Sequence, residues 1–128
     1  MIHSPRILVL EDEPFILRSL AHVLREEGFA VLEAGDVAEA VRRIGREKPE
    51  IVVVDVALLR RQGDVELADL KRRGTLRGCH VVLLTEKDEP DERELGDRIG
   101  AEEFVAKPFA PSLVARRARE LLGLGTAR

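Results

Sequence analysis

Ile51-Val52-Val53-Val54 constrains the fold of this 128-residue chain more than any other stretch. Four consecutive β-branched residues are apolar on both faces of any strand they form. Such a strand belongs in the middle of a parallel sheet, covered by helices on both sides. It ends in an acid, Asp55. A carboxylate at the end of the most buried strand is a first candidate for chemistry.

Similar short runs recur on either side. Ile7-Leu8-Val9-Leu10 reads as a buried strand, Ala30 to Glu33 as a weaker one, Val81-Val82-Leu83-Leu84 as a fourth and Phe104-Val105 as a short fifth. Amphipathic segments alternate with them. Pro14 to Glu27 carries Phe15, Leu17, Leu20, Val23 and Leu24 at mainly helical spacing and stops at Gly28. Asp36 caps the next helix, with Glu39 three residues on as its capping-box partner. A third helix is expected from about Asp64 to Arg73. Asp88 to Ile99 offers only Leu95 and Ile99 as apolar anchors and contains Gly96, so it reads as a weak helix. Pro111 opens the last helix and Gly123 ends it. Five βα units in succession predict an α/β fold: a five-stranded, doubly wound parallel sheet with helices on both faces. The whole length, 1–128, is read as one domain.

Composition narrows the function. A net charge of -3 pulls the chain toward neither nucleic acid nor an anionic membrane. Four Phe, with no Trp or Tyr, make a base-stacking platform an unsuitable reading. Arginine-rich clusters, such as Arg42-Arg43 and Arg116-Arg117, fall within expected helices and read as solvated faces. Cys79 is the single cysteine, which fits a reducing cytosol. Neither a signal peptide before Ile7 nor a membrane span is visible, so a cytoplasmic location is expected.

Ligands of open parallel sheets sit beyond the carboxyl ends of the strands. Here those ends carry Glu11-Asp12-Glu13, Asp55, Thr85 and Lys107-Pro108. Adjacent strands lie less than about 5 Å apart, so these groups can converge on one small site. Converging carboxylates repel one another, and Mg²⁺, which prefers carboxylate, water and phosphate oxygens, relieves that repulsion. An ionised Asp can act as a nucleophile. A lysine and a hydroxyl then supply a cation and a donor for the oxygens of a transferred group. The chemistry this set suggests is phosphoryl transfer to a carboxylate.

Ile7-Leu8-Val9-Leu10-Glu11-Asp12-Glu13-Pro14 resembles the opening of a bacterial two-component response-regulator receiver domain (CheY-like), and Gly100-Ala101-Glu102-Glu103-Phe104-Val105-Ala106-Lys107-Pro108-Phe109 resembles its closing motif. The resemblance runs from Ile7 to Leu122. It implies the flavodoxin-like strand order 2-1-3-4-5. It also implies that Glu11 and Asp12 are the acidic metal pair, Asp55 the phosphoacceptor and a Mg²⁺ ligand, and the Ala57 backbone carbonyl a further ligand. Thr85 would be the switch hydroxyl, Phe104 the switch aromatic and Lys107 the phosphate-binding lysine, before a cis bond to Pro108. The implied partners are a histidine kinase or phosphotransfer protein and a downstream protein or an output domain. Neither direct nucleic-acid binding nor a membrane is implied. The output surface would be the fourth helix, fifth strand and fifth helix of this count, through which a homodimer could also form. Such a domain is a signalling phosphoacceptor, not an enzyme, and promotes only its own phosphoryl transfer and dephosphorylation.

Three positions depart from the family pattern. Glu11 stands where Asp is usual. Leu59 stands where Pro is usual, which predicts a mobile loop over Asp55 to Gly63. Glu86 follows Thr85 where a small residue is usual. Its carboxylate is expected either at the mouth of the site, repelling a phosphodonor, or turned outward to Lys87 or an arginine. The competing reading is a pseudo-receiver, a binding module that takes no phosphate. A phosphatase of the haloacid-dehalogenase type needs a second acid at the position of Ala57 and a cap domain, and the sequence has neither. The ending Gly123 to Arg128 suits a stand-alone receiver and one drawn from a longer regulator alike.

Overall fold

The β-branched run does lie at the centre of a sheet. In the computed structural model, which describes residues 4–124, Ile51–Asp55 (β3) pairs in parallel with Arg6–Leu10 (β1) on one side and His80–Thr85 (β4) on the other. Ala30–Ala34 (β2) and Ala101–Ala106 (β5) form the edges, so the order is β2-β1-β3-β4-β5. The segments before Ser4 and after Leu124, including the ends read above for targeting and truncation, lie outside the described residues.

Period-two alternation sorts the core onto two faces. Ile51 and Val53 join Ile7, Val9, Val82 and Leu84 beneath Pro14–Glu26 (α1) and Pro111–Leu121 (α6). Val52 and Val54 join Leu8, Leu10 and Leu83 on the opposite face, under the remaining helices. All five residues of β3 are buried. Among the described residues no helix is long and apolar enough to cross a membrane.

Val37–Glu47 (α2) starts at Asp36, whose carboxylate accepts the Glu39 N–H at 2.8 Å. Glu39 reaches back to the Gly35 N–H, one residue earlier than a capping box requires.

The stretch after Asp55 departs from expectation. It is not a loop but a helix, Val56–Gln62 (α3), followed by Val65–Arg72 (α4). Two causes are visible. The Asp55 carboxylate caps α3 by accepting the Leu58 N–H at 3.1 Å. Leu58, and Leu59 at the position where Pro is usual, are fully buried in the core, and burial of such side chains stabilises by about 1.5–3 kcal/mol each. Gln62 then accepts the Val37 N–H at 2.8 Å and ties the end of α3 to α2. The surface expected from the fourth helix, fifth strand and fifth helix is therefore formed here by Pro90–Ile99 (α5), β5 and α6.

Helix α5 is better anchored than its sequence suggests. Beyond Leu95 and Ile99 it buries Gly96 and Glu92. A Cβ on Gly96 would lie 2.5 Å from the Phe104 ring, so glycine here is a close-approach residue. Glu92 accepts the backbone N–H groups of Glu86, Lys87 and Glu89 at 2.8–3.2 Å, fixing the turn from β4 into α5.

Candidate phosphoacceptor site

Register brings the acids together. Leu10 pairs with Val54 across β1 and β3, so Glu11 and Asp55, each one residue further on, leave adjacent strands side by side. Thr85 ends β4, and its carbonyl accepts the Lys107 N–H at 2.9 Å. That bond places Lys107 beside Thr85, just before the cis peptide bond to Pro108.

Lys107 Nζ stands 2.5 Å from Asp55 Oδ1 and 3.1 Å from Glu86 Oε2. Glu86 thus lies at the site, engaged with Lys107 rather than with Lys87. Burial pulls the Lys107 ammonium toward its neutral form, but the bonds to Asp55 and Glu86 outweigh it, and its pKa is raised.

Glu11 is almost fully buried. Its Oε2 accepts the Glu13 N–H at 3.0 Å, while Oε1 has no hydrogen-bond partner. Burial drives the Glu11 carboxyl above its usual range. The Glu13 N–H opposes this, and the charge of Asp55 adds to it. The Thr85 hydroxyl is likewise buried without a partner. Unpaired buried oxygens are costly, and these two belong to residues at the carboxyl ends of β1 and β4.

Asp12 is held by an arginine that sequence reasoning missed: Arg61 on α3 hydrogen-bonds Asp12 Oδ2. Its neighbour Arg60 reaches the other way, to Asp91 at 2.9 Å and Glu92 at 3.4 Å. Neither has a sequence signal, because both read as ordinary polar residues of a loop.

Glu11, Asp12, Asp55, Thr85 and Lys107 therefore gather at one end of the sheet. Ala57 is the second residue of α3, two positions after Asp55. Phe104 stands on β5 beside Gly96, with the Arg93 guanidinium 4.1 Å above its ring.

The donor set suits a hard cation. Carboxylate oxygens dominate it, and Glu11 Oε1 is buried without a partner. Among the described residues no three His, Cys, Asp or Glu side chains are grouped closely enough to enclose a metal by themselves. Mg²⁺ does not require this, because it commonly takes one or two carboxylates and completes its shell with water and phosphate oxygens.

Comparison with known proteins agrees with this fold. A family model described as "Response regulator receiver domain" matches residues 7–119. The chain belongs to the response-regulator receiver family. It is 35% identical over 119 residues to the alkaline phosphatase synthesis transcriptional regulatory protein PhoP of Bacillus subtilis, covering 93% of this chain and 49% of that protein. It is 38% identical over 112 residues to the phosphate regulon transcriptional regulatory protein PhoB of Escherichia coli, covering 87% and 49%. The receiver thus spans about half the length of these relatives. Among solved structures, the signal receiver domain of a signal transduction histidine kinase from Syntrophus aciditrophicus superposes with a TM-score of 0.80 at 29% identity, over 94% of this chain and 91% of that one.

Proposed function

We propose that this receiver accepts a phosphoryl group on Asp55 from a histidine kinase or phosphotransfer protein, with Mg²⁺ at Glu11, Asp12 and Asp55. The observation that carries the reading is the buried Asp55 carboxylate with Lys107 Nζ 2.5 Å from Oδ1, beside an unpartnered Glu11 oxygen and an unpartnered Thr85 hydroxyl.

Asp55 Oδ2 is committed to the Leu58 N–H, which leaves Oδ1 to attack phosphorus. The P–N bond of a phosphohistidine breaks, a P–O bond to Asp55 forms, and the imidazole leaves with the electron pair. Mg²⁺ neutralises charge on the transferring oxygens when bound. Lys107 moves from Asp55 to the new phosphoryl group, and the Thr85 hydroxyl donates to another of its oxygens. Each such charge-assisted bond is worth about 1.5–3 kcal/mol. Together with the ion, that is close to the roughly 5.5 kcal/mol needed to reverse a 1:99 equilibrium. The Ala57 backbone carbonyl would be a further ligand of the ion.

Movement of Thr85 would leave room for Phe104, and the readout would be the surface of α5, β5 and α6, toward a downstream protein, an output domain or a second copy. A kinase partner implies a cytoplasmic setting.

A second reading has specific support. Glu86 engages Lys107 and Arg61 engages Asp12, so a pseudo-receiver could hold its site closed by internal ion pairs. Intact-mass measurement after incubation with Mg²⁺ and acetyl phosphate separates the two. The first reading expects one added phosphoryl group, dependent on Mg²⁺ and lost in Asp55→Asn. No addition to the wild-type chain favours the second, and stable labelling of Asp55→Asn refutes the assignment to Asp55.

A further inference from the structure

Arg61 is the cation nearest Asp12, and its position is imposed by the fold. The helix that carries it is capped by Asp55 itself, is anchored by buried Leu58 and Leu59, and is tied to α2 through Gln62. Six residues beyond Asp55, the guanidinium is delivered to the carboxylate that follows Glu11. It also stands close enough to Asp55 and Glu11 to feel their charges. The side chain is 55% exposed, so it can swing into water without breaking packing.

We propose that Arg61 is a tethered counter-ion that competes with Mg²⁺ for Asp12, so that this site sets its own threshold for the metal. The inference rests on the Mg²⁺ reading above. A guanidinium on Asp12 Oδ2 occupies one of the oxygens the ion would take and places a positive charge where the divalent charge must enter. The two cations answer the same repulsion among Glu11, Asp12 and Asp55, so each weakens the need for the other. Release of Arg61 on metal binding also removes the link between α3 and the end of β1, while Arg60 keeps α3 joined to α5.

The test is a Mg²⁺ titration of the unphosphorylated chain, followed by calorimetry or by amide chemical shifts at constant ionic strength. Arg61→Ala is expected to tighten Mg²⁺ binding about 1.4- to 5-fold, the range set by the strength of an exposed ion pair. Arg61→Lys, which keeps the charge, is expected to stay near the wild-type affinity. Arg60→Ala removes the same charge one residue away, from a side chain facing Asp91 and Glu92, and is expected to change the affinity less than Arg61→Ala. Equal affinity in wild type and Arg61→Ala overturns the inference and leaves the Mg²⁺ reading standing. So does weaker binding in Arg61→Ala, or equal tightening in Arg60→Ala. Absence of saturable Mg²⁺ binding in every protein overturns the Mg²⁺ reading itself.

Discussion

Removing the charge of Glu86 should speed phosphorylation of Asp55. Lys107 Nζ lies between two carboxylates, 2.5 Å from Asp55 and 3.1 Å from Glu86. On the reading proposed above, a phosphoryl group arriving on Asp55 needs that ammonium and meets the Glu86 charge beside it. With every group ionised, Glu11, Asp12, Asp55 and Glu86 outnumber Arg61 and Lys107, so the site repels an anionic phosphodonor. Glu86 is 42% exposed. An ion pair so open to water is worth about 0.2–1 kcal/mol. Glu86→Gln should therefore raise the initial rate with acetyl phosphate by about 1.4- to 5-fold at low ionic strength and saturating Mg²⁺. Glu86→Ala should do the same, which separates charge from size. The gain should shrink as salt is raised, because the screening length falls from about 10 Å at 0.1 M to about 3 Å at 1 M. Wild type itself should be faster at high salt. The assay is a time course of intact mass. Rates equal to wild type in both variants, at low and high salt alike, would refute the reasoning.

Two further predictions concern α5. Gly96→Ala places a methyl group 2.5 Å from the Phe104 ring. An over-packing cost of about 1–3 kcal/mol is offset by roughly 1 kcal/mol of helix propensity, for a net loss of up to about 2 kcal/mol in urea unfolding. In a Phe104→Ala background the same change should stabilise by about 1 kcal/mol, and the same sign in both backgrounds would show that the ring is not what Gly96 accommodates. Burial pushes the Glu92 carboxyl upward, but the N–H groups of Glu86, Glu89 and Lys87 and the charge of Arg60 outweigh it, so its pKa lies below the usual carboxylate range. A lowered folded pKa means the stabilisation is present above the ordinary Glu range and is lost as pH falls through the folded value. Glu92→Gln, which leaves a donor facing donors, should cost about 1–3 kcal/mol near neutral pH and progressively less in acid. A cost independent of pH would rule out the charged clamp.

What the sequence determined by itself was whatever depends on local pattern. Short apolar and β-branched runs specified five strands. Capping and breaking residues such as Asp36, Pro111 and Gly123 set helix ends. The order of strand ends placed Glu11, Asp12, Asp55, Thr85 and Lys107 at one edge. The tertiary structure decided what depends on partners distant in the chain. Leu58 and Leu59 look like loop residues until the core formed by β1, β3 and β4 receives them, and their burial makes α3 a helix. Gly96 looks like a weakness until Phe104 lies against it. Glu92 looks solvated until the turn after Thr85 folds over its carboxylate. Arg61 is an ordinary surface charge in the sequence, and Glu86 is left with two orientations, toward the site or outward. Only the packing of α3, and the bond that sets Lys107 beside Thr85, brings one to Asp12 and the other to the lysine. The physical reason is range: hydrophobic period and capping act over a few residues, whereas an ion pair or a close packing contact requires two segments whose approach is set by the whole sheet.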